Sequence, residues 1–136
     1  MIEPTLALQV AARRALVADP NVTVLVAPAS IVDAHVRPTT FPAIVVGEGQ
    51  SVREAITYRG DHVRATLDLH LWTKETGLEA VKTIAGLARA ALRALDAPGM
   101  VTCHVAGVRF LRDPSGEHGH GILSLEALVD ADEVAL

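Results

Sequence analysis

The chain has 136 residues, of which 50% are apolar, 21% charged and 3% aromatic, and its formal net charge is −4. That length fits one domain, and the charged fraction is too low for a disordered tail. A negative chain with four aromatic residues lacks both the cations to neutralise phosphates and the rings to stack on bases.

Phe41, Tyr58, Trp72 and Phe110 are those aromatics, so the core must come from Val, Leu, Ile and Ala. A single cysteine, Cys103, excludes an internal disulfide framework and a Cys-rich zinc module. Its apolar surroundings point to an inert thiol. No apolar run reaches the ~18 residues of a membrane span. Met1-Ile2-Glu3-Pro4 has no basic stretch, so no signal peptide is expected, and folding in a reducing cytosol is.

In chain order, residues 4–19 predict a helix opened by Pro4 and stopped by Asp19-Pro20. It is apolar over most of its circumference, with Gln9 and Arg13 on a narrow polar stripe. A helix of that kind is usually covered on more than one side, and another subunit could supply the second cover. An exposed Ala-rich face is the plainer alternative. Residues 22–36 are ambiguous, with Ile31-Val32 reading as a short strand. Two prolines fix a loop over 37–42, and Ala43 to Val46 reads as a strand that Gly47-Glu48-Gly49 ends or kinks. Residues 50–60, carrying Arg53, Glu54 and Arg59, read as a long loop or arm.

Residues 62–72 alternate strictly. Val63, Ala65, Leu67, Leu69 and Leu71 share one face, while Arg64, Thr66, Asp68, His70 and Trp72 share the other. Thr76-Gly77-Leu78-Glu79 is a capping-box sequence ahead of a helix running to Leu95. A hairpin follows, with strands over 105–112 and 119–129 joined by Asp113-Pro114-Ser115-Gly116. The prediction is one α+β domain over 1–136: a mostly antiparallel sheet with two main helices on one face.

Chemistry is thin along this chain. His118-Gly119-His120 beside Glu117 could chelate a metal, but no third histidine is near in sequence, and a polar turn is the plainer reading. No G-x-S-x-G elbow or phosphate-cradling loop is present. Cys103 and His104 are neighbours on a strand and point to opposite faces. The expectation is no enzyme, no catalytic residue, no metal and no cofactor. The mixed-charge strand face with Arg64 and Trp72 suits an interface instead.

Several strings carry a family likeness: Glu3-Pro4-Thr5-Leu6-Ala7-Leu8-Gln9, the Phe41-to-Gly49 strand, the Leu67-to-Thr73 strand, the Gly77-to-Leu95 helix and the Phe110-to-Gly121 hairpin. Together they resemble the tail terminator, or tail-completion, proteins of long-tailed bacteriophages and phage-derived gene transfer agents. The resemblance implies a structural protein at the head–tail neck, made in the bacterial cytoplasm. It implies a homo-hexameric ring that caps the tail tube, ends its polymerisation and joins head to tail. The implied partners are other copies of the chain, the major tail tube protein and a head-completion or stopper protein. DNA would pass through the ring without sequence-specific binding, and no membrane is involved. Loops in such proteins often make ring-to-ring contacts, which points to residues 50–60. The expected interface residues are Gln9, Arg13, Arg53, Glu54, Arg59, Arg64 and Trp72. A stopper or adaptor of the neck, or a small His-based metal-binding enzyme, are the alternative readings.

Overall fold

A computed structural model describes residues 1–34, 37–55 and 61–136. Helices α1 (Pro4–Ala18) and α2 (Pro20–Thr23) lead through a single 3-10 turn at Pro28–Ser30 to strand β1 (Ile31–Asp33). Then come β2 (Ala43–Arg53), β3 (His62–Lys74), α3 (Glu79–Leu92), β4 (Met100–Arg112) and β5 (His118–Asp130). The five strands form one sheet in the order β1-β2-β3-β5-β4. β1 runs parallel to β2, and every other pair is antiparallel. The α+β class and the helix-on-one-face layering match the sequence reading.

Alternation builds the core. Leu67, Leu69 and Leu71 of β3 lie beside Leu123, Leu125 and Gly121 of β5, and all turn toward the helices. Leu8, Ala12 and Leu16 of α1 and Val81, Ile84, Ala88 and Leu92 of α3 close over them. Each fully buried Leu or Ile contributes roughly 1.5–3 kcal/mol. Both long helices follow from their spacing: α1 buries Ala7, Leu8, Ala11, Ala12 and Leu16, and α3 buries Val81, Ile84, Ala85, Ala88 and Leu92.

The helix ends explain the chain's path. Glu3 accepts from the amides of Thr5 and Leu6 at 2.7 and 3.2 Å and from the Ser51 hydroxyl at 2.8 Å, so it ties the start of α1 to β2. Asp19 ends α1, and its carboxylate takes the Asn21 amide at 2.9 Å to start α2. Val22 thus lies in a helix and Val24 in the turn after it, not in a strand.

Three expectations are corrected. The capping box at Thr76 does not form: α3 begins at Glu79 with no cap from its preceding residue. Glu75 caps it instead, accepting from the amides of Ala80 and Val81, each at 3.0 Å, and from the buried Thr73 hydroxyl. Residues 50–53 are not loop. β2 continues past Gly47-Glu48-Gly49 through a bulge between Val46 and Gly49 and pairs with β3 as far as Arg53 opposite Val63. This half of β2 has exposed residues from Glu48 to Arg53, so it shows no apolar alternation. The last hairpin also begins earlier, at Met100, because two register shifts break the alternation of β4. Its turn is as read: Gly116 has φ +72° and its amide donates to the Asp113 carbonyl at 2.9 Å.

Candidate interface on the open sheet face

Helices cover one face of the sheet, and β3 and β5 run through the middle of the other. On β3 the outward residues are His62, Arg64, Thr66, Asp68, His70 and Trp72; on β5 they are His118, His120, Ile122, Ser124, Glu126 and Leu128. Register sets the partners. Trp72 stands opposite His120, Asp68 opposite Ser124, and Thr66 opposite Glu126.

At the upper end the side chains form a stack. The Trp72 and His120 rings are 3.9 Å apart at 7°, and His120 is stacked on His70 at 5.1 Å. The His70 Nδ1 and His120 Nε2 atoms are 2.8 Å apart, so one donates to the other. The Arg37 guanidinium lies over Trp72 at 5.0 Å and pairs with Asp113. His118 packs on Phe41 at 4.7 Å, with Nδ1 3.9 Å from the Asp113 carboxylate. Burial, and next the charge of His70, push the His120 pKa down. Hydrogen bonds from Ser115, with Arg37 and His118 nearby, hold Asp113 below the usual carboxylate range against its burial. Arg37, Val45, Glu48, His70, Trp72 and His120 line a shallow cleft of about 220 Å3.

Lower on the face, Arg64 joins two acids: Glu126 across the sheet and Glu54 at 3.0 Å. Those bonds raise the pKa of its guanidinium. Ser124 donates to Asp68 at 3.0 Å. Arg64 and Trp72 are eight residues apart on one strand face, about 26 Å at the rise of an extended chain. The result is a rigid face with an aromatic, cationic upper end and an ion-paired middle.

The sequence-predicted interface residues fall in separate places. Arg64 and Trp72 lie on this face at its two ends, and Glu54 beside it pairs with Arg64. Arg53 is exposed at the end of β2, and Arg59 lies outside the described residues. Gln9 and Arg13 sit in the helix layer. Gln9 donates to Asp33 at 3.1 Å, while Arg13 donates to the carbonyls of Ile31 and Pro28 at 2.9 and 3.1 Å, so both fasten α1 to β1 and the turn before it. His118 and His120 point along β5's outer face but do not converge, since one ring packs on Phe41 and the other on Trp72. Cys103 is half-buried, and burial pushes its thiol up to about 11, in keeping with an unreactive side chain. Sequence reasoning missed Arg37 and the stacking of His70 and His120 with Trp72, although it placed His70 on the interface face and named His120 as a metal candidate. Their signal was the polar face of β3, but their convergence needs the β3–β5 register and the chain before β2.

The family model described as "Tail completion protein gp17" matches residues 10–130. The chain belongs to this family. Its fold is also shared with solved structures. A chain in the virion of a native gene transfer agent particle is similar with a TM-score of 0.77 at 20% identity, covering 91% of this chain and 95% of that one. The bacteriophage SPP1 gp17 protein is similar with a TM-score of 0.60 at 17% identity, covering 94% and 92%. No curated protein sequence matches significantly. As a tail completion protein, the chain belongs with the structural components of phage and phage-like tails. Among its described residues no helix is long and apolar enough to cross a membrane.

Proposed function

We propose that this tail completion protein forms a homo-hexameric ring that caps the tail tube at the neck. The ring stops tube polymerisation, presents the surface on which a head-completion or stopper protein joins, and leaves a central channel through which DNA passes. The protein acts by contact and has no catalytic role. The observation that carries the joining part is the open sheet face, where Arg37, Trp72, His120 and His70 are held by one another in a fixed array. A pre-ordered face loses little side-chain entropy on docking, and Trp and Arg are among the residues that most often anchor an interface. A closed ring further requires two different patches on each subunit. The exposed end of β2 at Arg53, the α1 side with Gln9 and Arg13, and the Arg59 region are assigned to contacts within the particle on the same reading.

The test is assembly of particles carrying Trp72→Ala or Arg64→Glu. Tails of normal length that fail to join heads are the expected product. Normal yields of joined particles from both variants would remove the open face from the joining surface.

A further inference from the structure

Charge is segregated along this chain, largely away from the open face. Residues 80–112, which include most of α3 and all of β4, hold five cations and one acid. The rest of the chain holds seven cations and fifteen acids. The cations Lys82, Arg89 and Arg93 lie on the exposed side of α3, and Arg109 and Arg112 are exposed on β4. β4 is the outer strand of the sheet; Lys82 and Arg112 share one cleft there with Glu79, Arg89 and Arg93 share another, and Arg109, opposite Ile122, faces the open side, so the basic strip runs along the α3 side of this edge. Lys82 lies 5.7 Å from the Phe110 ring, and among the described residues the four arginines have neither an ion-pair nor a side-chain hydrogen-bond partner. Arg89, Arg93 and His104 line a cleft of about 270 Å3.

The opposite charge gathers where β5 ends. The Asp61 amide donates to Asp132, the Ala131 amide to the Asp61 carbonyl, and the Asp130 amide to the Gly99 carbonyl, which draws Asp61, Asp130, Asp132 and Glu133 into one turn. Asp96 precedes that turn at the close of α3. Among the described residues none of these five carboxylates has an ion-pair partner.

We propose that the basic α3–β4 edge of one copy receives the acidic β5 end of the next. This rests on the ring reading and names one of its contacts. Two different surfaces meet, as a head-to-tail contact requires. A second copy is favoured over nucleic acid because the rest of the chain carries a formal net charge of −8, which repels a polyanion but matches the strip on a neighbouring copy. The two register shifts in β4 and its two arginines keep the edge from pairing backbone to backbone, so the contact is made by side chains.

The test is a charge-swap series on the full chain, read by imaging caps on tail tubes, with circular dichroism to confirm folding. R89E/R93E and D96R/E133R each change only side chains that have no ion-pair or side-chain hydrogen-bond partner among the described residues. Each is expected to cut the fraction of capped tube ends at limiting protein by about tenfold or more. The four-residue combination is expected to restore capping. If either double variant caps like the wild type, or if the combination fails to recover, the contact is refuted while the ring stands. If the wild type itself forms no ring on tubes, the ring reading fails first. If R89E/R93E loses only retention of duplex DNA at low salt and still caps, the strip is a nucleic-acid surface and the proposal is overturned.

Discussion

Replacing Glu75 with alanine tests the helix cap most sharply, because the sequence points to a different residue. In the structure Glu75 takes the amides of Ala80 and Val81 and the hydroxyl of Thr73, which is 3% exposed. Losing the cap costs about 1–2 kcal/mol. Leaving the Thr73 hydroxyl without an acceptor adds roughly 1–3 kcal/mol. The expected loss for E75A is therefore about 2–5 kcal/mol, a fall in Tm on the order of 10 °C for a domain of this size. E75Q keeps one carbonyl acceptor and should lose about half as much. T76A removes a side chain that makes no cap bond and should stay within about 0.5 kcal/mol of wild type. Urea and thermal unfolding of the three variants provide the comparison. An E75A protein as stable as wild type, or a T76A protein destabilised as much as E75A, would refute the assignment of the cap.

The same carboxylate sets a pH dependence. Partial burial pushes its pKa up, but the bonds from Thr73, Ala80 and Val81 outweigh that and leave it below its ordinary 4.5. With a depressed folded pKa, its contribution is complete above the ordinary value and disappears as pH falls through the folded one. Wild type should therefore lose more stability than E75Q between about pH 5 and pH 3 in acid titrations followed by circular dichroism. Gly47→Ala would place a Cβ 2.6 Å from His70 Cδ2 and 2.7 Å from its Nε2. The ring must move off His120, and a loss of about 1–3 kcal/mol is expected, read by unfolding and by the His70 and His120 ring signals in NMR. Trp72 is the only tryptophan, so its fluorescence reports the stack directly. Quenching by protonated His120 should set in below the ordinary histidine value of 6.5, since burial pushes the His120 pKa down, and H120Q should abolish the transition.

Legibility in the sequence follows from how local each signal is. The alternation of 62–72 and the apolar stripe of α3 each face one continuous core, so period alone reveals them. The end of β2 covers no core, and its polar run from Glu48 to Arg53 therefore looks like loop. Glu75 lies one residue outside the usual capping-box frame, because the chain leaves β3 with Thr73 pointing inward and turns directly into α3. Gln9 and Arg13 stand out as a polar stripe on α1, but only the fold reveals that their bonds reach Asp33, Ile31 and Pro28. The Trp72–His120–His70 stack depends on a β3–β5 register joining residues 50 apart. Family membership was legible because it rests on the order of whole elements along the chain.

The most direct test of the account adds the purified protein to growing tail tubes and images their ends. The account predicts six-membered rings at one end of each tube and an arrest of further growth. Tubes that keep growing with bare ends, or protein spread along their sides, would contradict it.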